Sequence, residues 1–430
     1  MPNGQMTVGD SRTVAGYLNN PAFTKQIYAQ ARVTSGVFGA LSKKIGESYG
    51  RNTGTETDMK IAKTAAFLRI EKKEGDTHNW TMEKTLTGPP TFGDRVPETA
   101  GTLSFLHAEV KLNKTRRPAF QIPAEMEQIK AAAALGAGFN WKSSIRSQEA
   151  KWHGEAIGHE AIITSLKGAS DNLLSSKQDG GLGVDLGRGA GVQVSPLNAI
   201  VVGQGKVSGA TLAAREADLK TKLGNITNAT ASHLISLKAV HAISEELSCG
   251  LTGMVGLDMG GKEKFVLVLP SVCRRTLQGP DSTMVDYAKF TKMWGKDSPL
   301  LQYSPVEIGN IVVLYDDYLS KYSPDVTGTE IVWGKPTTEF QSWGYTDLAT
   351  PQLTRGVGLL YGARAILEAT NGDMKFTNET GKHETSEEVS SMIKRSMIRA
   401  SWKDVQDSNV LPKDYGTMLV AFAHYGITHT

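Results

Sequence analysis

Residues 60–122 constrain the fold of this chain more than any other stretch. On the return side Leu106, Ala108, Val110 and Leu112 alternate with His107, Glu109, Lys111 and Asn113. On the outgoing side Phe67, Arg69 and Glu71 alternate with Leu68 and Ile70, followed by Trp80 and Met82 amid polar neighbours. Alternation with period 2 marks strands with one apolar face. Between them lies Leu86-Thr87-Gly88-Pro89-Pro90-Thr91-Phe92-Gly93-Asp94, which cannot continue a strand because proline donates no ladder hydrogen bond. The expected element is a long β-hairpin around a breaker-rich tip. A two-stranded hairpin has no core of its own and is marginal in water. It must lie on something else, either the body of this chain or a neighbouring copy.

The rest of the chain supplies bodies for it to lie on. With 430 residues, 40% of them apolar, two or three lobes are expected. Residues 1–58 are rich in Gly, Ser, Thr and Asn, with more Lys and Arg than Asp and Glu, and read as an extended arm. Within it, Pro21 to Ala31 reads as a helix with Phe23, Ile27 and Tyr28 on one side. The strongest helix signal runs from Trp141 to Lys167, with Asn140 as N-cap and Gly168 just past the end. Trp141, Ile145, Gln148, Trp152, Ala156, His159, Ile163 and Leu166 follow one another by threes and fours. They draw one buried stripe along a rod of about 40 Å. Gly154 and Gly158 cost this helix about 1 kcal/mol each relative to Ala, which a bend or close crossing would explain.

Glycine, 45 of the residues, concentrates again over 168–209, read as loops and bulged strands. Helices are expected at Ala229 to Leu247, Met284 to Trp294 and Arg355 to Ala369. Buried strands are expected at Lys264 to Pro270 and Ile308 to Tyr315, making a compact α/β lobe. Strand-like segments at Lys394–Trp402 and Thr417–Ala423 close the chain.

Several function classes find no support. Lys and Arg (47) nearly balance Asp and Glu (44), so this is no polycation built on nucleic acid. No apolar run reaches the roughly 18 residues of a bilayer span. The first residues show no leader pattern. Cys249 and Cys273 are too few for a disulfide framework or a zinc site, and a reducing, soluble setting is expected. Gly256-Leu257-Asp258-Met259-Gly260-Gly261-Lys262-Glu263 has the spacing of a phosphate-binding P-loop, but Glu263 replaces the magnesium-holding hydroxyl. An apolar strand follows where the motif needs a helix, so a hairpin turn is expected. His153, Glu155 and His159 suggest a metalloprotease, yet a separation of six places the two rings about 240° apart on a helix. His159 is expected on the buried stripe and His153 exposed. The glycine strings over 180–191 and 203–209 spell no dinucleotide fingerprint. No catalytic residue, cofactor or metal is indicated.

The order of motifs carries a resemblance. Lys84 to Asp94, then Glu98-Thr99-Ala100-Gly101-Thr102-Leu103-Ser104-Phe105 and the alternating strand to Arg116-Arg117, resembles the major capsid proteins of tailed double-stranded DNA phages related to coliphage N-four. Lys264–Pro270, Ser298-Pro299-Leu300-Leu301 and Ile308-Gly309-Asn310-Ile311-Val312-Val313-Leu314-Tyr315 agree. So do Leu360-Tyr361-Gly362-Ala363-Arg364-Ala365 and Asp414-Tyr415-Gly416. The resemblance covers most of the chain from about 60 onward, apart from the 168–209 insert.

It implies an α+β capsid fold of the Hong Kong 97 type, with an N-terminal arm (1–58) and an extended loop (59–122). A peripheral domain (123–245) would hold a spine helix at 141–167 with the stripe Trp141, Ile145, Trp152, Ile163 and Leu166. An axial domain (246–369) and a return to the peripheral domain (370–430) would follow. Trp80, Met82, Leu86, Pro89, Pro90, Phe92 and Asp94 would then touch a neighbouring subunit. The implied protein is a structural one forming pentamers and hexamers of an icosahedral shell in the virion, assembled in host cytoplasm. Its implied partners are other copies, a separate scaffolding protein, a portal, a cement protein and non-specifically held DNA, with no membrane. A nanocompartment shell of the same fold is the structural alternative. A soluble nucleotide-binding enzyme using the 256–262 loop is the alternative of another class.

Overall fold

The computed structural model describes residues 21–45, 62–71, 77–83, 105–112, 115–116, 119–123, 141–167, 198–226, 231–250, 252–277, 306–327, 330–334, 353–371, 374–379, 386–404, 413–414 and 416–425. Two apolar runs found in the sequence, Glu263–Pro270 and Ile311–Asp316, lie side by side and parallel at the heart of an eight-stranded sheet, in register from Phe265↔Ile311 to Pro270↔Asp316. Runs this apolar need cover on both faces. One face carries Phe265, Leu267, Leu269, Ile311 and Val313 against Val240, Ile243 and Leu247 of the helix Leu237–Ser248. The other carries Val266, Val268, Val312 and Leu314, in one core with Ile157, Ile162 and Leu166 of the helix Trp141–Lys167. Leu353–Tyr361 and Thr417–Tyr425 extend this sheet antiparallel, and Ala199–Val201 joins beyond them.

The second sheet is built from distant pieces. Ser42–Ile45, Phe67–Glu71 and Ile366–Thr370 run parallel, and the long strand Ser386–Arg399 pairs antiparallel with Ile366–Thr370. The same strand takes Lys375–Glu379, Thr115–Arg116 and Ala119–Pro123 as further partners.

Two expectations are corrected here. Phe67–Glu71 is not the outgoing arm of the hairpin but an inner strand of this second sheet, with Phe67 against Phe38 and edge-on to Tyr361 on one side and Leu68 and Ile70 on the other. The helix expected over 355–369 is instead two strands in two different sheets, joined at 362–365, where Arg364 adopts φ 57°. The backbone of Arg364 and Ala365 donates to the carbonyls of Ala65 and Ala66, which fixes the changeover. Glycine and alanine gave the segment no decisive period, so its pairing decided the outcome. A Cβ on Gly356 would fall 2.6 Å from the Phe422 ring, and one on Gly358 2.7 Å from Leu269, so these glycines allow close packing on the sheet.

The long helix spans Trp141–Lys167, the bounds expected from its cap and stripe. The helix Pro21–Thr34 crosses it at Gly154, where a Cβ would lie 2.7 Å from Thr34 Cβ and 2.8 Å from the Ala31 carbonyl oxygen. At Gly158 a Cβ would meet the Tyr318 ring at 3.2 Å. Close crossing therefore explains both glycines. The helix expected over 229–247 is a short 3-10 turn, Ala231–His233, followed by Leu237–Ser248, because Ser236 caps the latter by accepting from the Ala239 amide at 3.2 Å. A helix absent from the sequence reading, Leu212–Gly224, starts at Thr211, whose hydroxyl accepts from the Ala214 amide at 3.2 Å. The helix expected at 284–294 and the glycine segment at 168–197 lie outside the described residues.

Gly154→Ala decides between two opposed effects. Helix propensity alone favours Ala by about 1 kcal/mol, whereas overpacking against a backbone oxygen costs about 1–3 kcal/mol. Net destabilisation is expected on urea denaturation; a more stable variant would mean that the two helices do not cross this closely.

Candidate functional site

The hairpin is present at its base. Thr77–Glu83 and Phe105–Lys111 pair antiparallel from Thr77↔Lys111 to Glu83↔Phe105, with Trp80 opposite Ala108. Ser401–Asp404 pairs with the return strand and Lys413–Asp414 pairs with Ser401–Asp404, making a four-stranded sheet. Trp80, Ala108, Val110 and Leu112 point to one face, the alternation seen in the sequence. That face packs on Leu68, Ile70, Leu367, Ala369 and Ala400 of this same chain.

The expected role of Trp80 as an intersubunit contact is thus corrected. Its side chain is 0% exposed and lies edge-on to His78 at 5.0 Å inside the subunit. A large indole removes more apolar area from water than its neighbours, so the nearest core claimed it. Met82 lies opposite Leu106 in the ladder. Leu86, Pro89, Pro90, Phe92 and Asp94 lie outside the described residues.

On the spine helix, Ile163 and Leu166 are buried as expected, while Ile145 and Trp152 are half-buried. Nothing is described of the Trp141 side chain. His153, expected exposed, is 0% exposed. From Glu149 onward this helix has neighbours on several sides, and a single-stripe wheel does not apply.

Those neighbours form a polar seam that the sequence did not reveal. Odd-numbered residues of the long strand share one side by the period of a strand, and Ser391, Arg395 and Arg399 among them meet the helix. Arg395 Nε donates to Glu160 Oε2 at 2.8 Å, with both side chains 0% exposed. Arg399 donates to the Ser165 carbonyl at 2.9 Å, and Ser165 Oγ lies 2.6 Å from the Tyr361 hydroxyl. Arg32 of the first helix pairs with Glu368. Ser391 Oγ lies between Glu149 Oε2, to which it donates, and His153 Nε2 at 3.0 Å.

Burial sets the ionisation of this seam. It pushes the Glu149 carboxyl up to about 7, against the Ser391 hydrogen bond that favours the anion. It pushes His153 down to about 3, helped by the Arg395 charge and opposed by Glu160. The Arg395 guanidinium loses solvation, but the Glu160 carboxylate, with Tyr28 and Glu368, more than offsets that and holds it charged. Between about pH 3 and 7 Glu149 and His153 therefore meet mostly as neutral groups, although their nearest atoms are 3.6 Å apart.

Ser391, His153 and Glu149 are the residue types of an acyl-transfer triad, but the carboxylate holds the serine and not the histidine Nδ1, and all three are buried. The 256–262 loop is a hairpin turn, as expected. Met259 donates to the Lys262 carbonyl at 3.0 Å, Gly260 and Gly261 have φ 68° and 80°, and the strand Glu263–Pro270 follows. Cys273 is buried and its thiol pushed up by burial, while Cys249 is exposed. Among the described residues no cluster could hold a metal ion, and no helix is long and apolar enough to cross a membrane.

Trp80→Ala is expected to cost about 3–5 kcal/mol in the unassembled chain, read by chemical denaturation. A change below about 1 kcal/mol would return Trp80 to the intersubunit surface.

No family model and no curated protein matches the chain. Among solved structures it is similar to the capsid of Ralstonia phage GP4, with TM-score 0.54 and 15% identity over 85% of this chain and 88% of that one. It is also similar to the cyanophage Pam1 capsid, with TM-score 0.50 and 14% identity over 84% of this chain and 89% of that one. The chain has the α+β fold of these phage capsid chains, the Hong Kong 97-like architecture that the sequence resemblance implies.

Proposed function

We propose that this chain is a structural major capsid subunit that assembles as pentamers and hexamers into an icosahedral shell around double-stranded DNA. The observation that carries the reading is the extent of the fold match. It takes in 85% of this chain and 88% of the Ralstonia phage GP4 capsid chain, which leaves little of either chain for a separate activity. The hairpin supports it physically. Its base is held on this chain's own core, while the run 84–104 between its strands carries Gly88-Pro89-Pro90 and Gly93, residues that break a strand. In a shell, a few hundred Å² buried there at about 25 cal/mol per Å² would contribute several kcal/mol per contact before ordering costs.

On this reading Leu86, Pro89, Pro90, Phe92 and Asp94 carry the intersubunit contact. Residues 1–58 form the arm, 246–369 the axial domain, and 123–245 with 370–430 the peripheral domain. The subunit belongs to the virion, is assembled in host cytoplasm, and works with a separate scaffolding protein, a portal and a cement protein. Its nearly balanced charge suits mild, non-specific contact with packaged DNA. A nanocompartment of the same fold differs in holding enzyme cargo instead of a genome. The nucleotide-binding enzyme reading loses its motif, since Gly260 and Gly261 form a tight turn between strands.

Electron microscopy of the purified chain, with and without scaffold, is expected to show shells, pentamers or hexamers. A monomer that never assembles, or saturable ATP binding abolished by Lys262→Ala, would sink the proposal. Replacing residues 86–102 by an Asn-Gly turn is expected to leave circular dichroism and subunit stability unchanged while abolishing shells. Shells of unchanged stability would show that the hairpin tip is not the clamp.

A further inference from the structure

The Glu149–Ser391–His153 contact is unusual in what it joins. Glu149 and His153 sit one turn apart on the spine helix, and Ser391 reaches them from the long strand 242 and 238 residues away. One serine hydroxyl thus closes the front of the helix onto the second sheet. Polar groups at a buried seam hold only while each proton is where the hydrogen bonds need it.

We propose that Glu149, Ser391 and His153 form a proton-operated clasp, which holds the front half of the spine helix to the long strand and releases it in acid. The groups facing His153 come from every element packed around it. Its own helix contributes Glu149, Glu160 and the Trp152 ring, perpendicular at 4.9 Å. The long strand contributes Ser391 and Arg395. The first helix crosses at Gly154 with Ala31 and Thr34, and its Arg32 donates to the Tyr28 hydroxyl and pairs with Glu368 of strand Ile366–Thr370. Tyr28 and Glu368 act on Arg395. Among the described residues, His153 Nδ1 has no hydrogen-bond partner. A proton placed there adds a buried cation facing Arg395 and a donor with nowhere to donate.

The two titrations offset each other over a defined window. Glu149 is raised from 4.5 to about 7, so its contribution is full below pH 4.5 and is lost as pH rises towards 7. His153 is lowered from 6.5 to about 3, so its contribution is full above pH 6.5 and is lost as pH falls towards 3. Between about pH 4.5 and 6.5 the slopes cancel, because folding moves one proton from the imidazole to the carboxyl. Below about pH 4.5 only the histidine slope remains, and the clasp weakens by about one proton's worth per pH unit.

The clasp lies inside one subunit, so its test needs no shell. Amide hydrogen exchange of the unassembled full-length chain, corrected for intrinsic rates, is measured from pH 3 to 8. Protection of the peptides spanning 141–153 and 386–391 is expected to be level from pH 4.5 to 6.5 and to fall about 30-fold by pH 3. The hairpin strands at 77–83 and 105–111 are expected to keep theirs. Glu149→Gln removes the offset, so the fall is expected to begin near pH 6.5 and to reach about 100-fold by pH 4.5. His153→Asn is expected to remove the acid fall and leave a decline as pH rises from 4.5 to 7. Superimposable profiles for all three chains would overturn the clasp. Should a variant not fold, the wild-type profile decides alone: level protection down to pH 3, or a simultaneous loss over the whole chain, overturns it.

Discussion

Everything else in this fold is arranged around a helix that buries polar side chains, one of them in an ion pair. From Glu149 to Leu166 the spine helix is almost wholly enclosed, and Glu149, His153, His159 and Glu160 go inside with Ile157, Ile162 and Ile163. A buried charge without a partner costs several kcal/mol. The second sheet therefore has to deliver Ser391, Arg395 and Arg399 at fixed heights along the rod, and the first helix has to bring Arg32 to Glu368. An apolar helix could slide or rotate by a residue at little cost. This one cannot, because a shift would unpair Arg395 from Glu160.

That fixed helix is also what ties the two sheets together. Its apolar side shares a core with the eight-stranded sheet, and its polar side meets the long strand of the other. The chain itself passes between the sheets at 362–365, where Ala65 and Ala66 accept the backbone hydrogen bonds that hold the changeover. The hairpin base then rests on the far side of the second sheet through Trp80.

The candidate site was legible in part. Alternation over Leu106 to Leu112 placed the return strand and its buried face, and the missing private core said that this face must be covered. Trp80 was read as an outward anchor because a lone aromatic amid polar neighbours gives no hint of which surface will cover it. The polar seam was invisible for a different reason: Glu160 and Arg395 are 235 residues apart, and neither position breaks its local pattern enough to name the other.

By itself the sequence determined the elements whose signals are local. The helix Trp141–Lys167 has the bounds that Asn140 before it and Gly168 after it mark in the sequence, and Lys264–Pro270 is a buried strand as expected. The strand expected over Ile308–Tyr315 is instead split by a turn at Gly309-Asn310 into Val306–Ile308 and Ile311–Asp316. The turn at Gly260-Gly261 needs positive φ at both residues, which the sequence states outright. Only the tertiary structure decided whether 355–369 was helix or strand, since glycine and alanine take the conformation their partner strands impose. It alone decided that His153 is inside. Burial depends on how many elements surround a helix, a number that no single stretch of sequence carries.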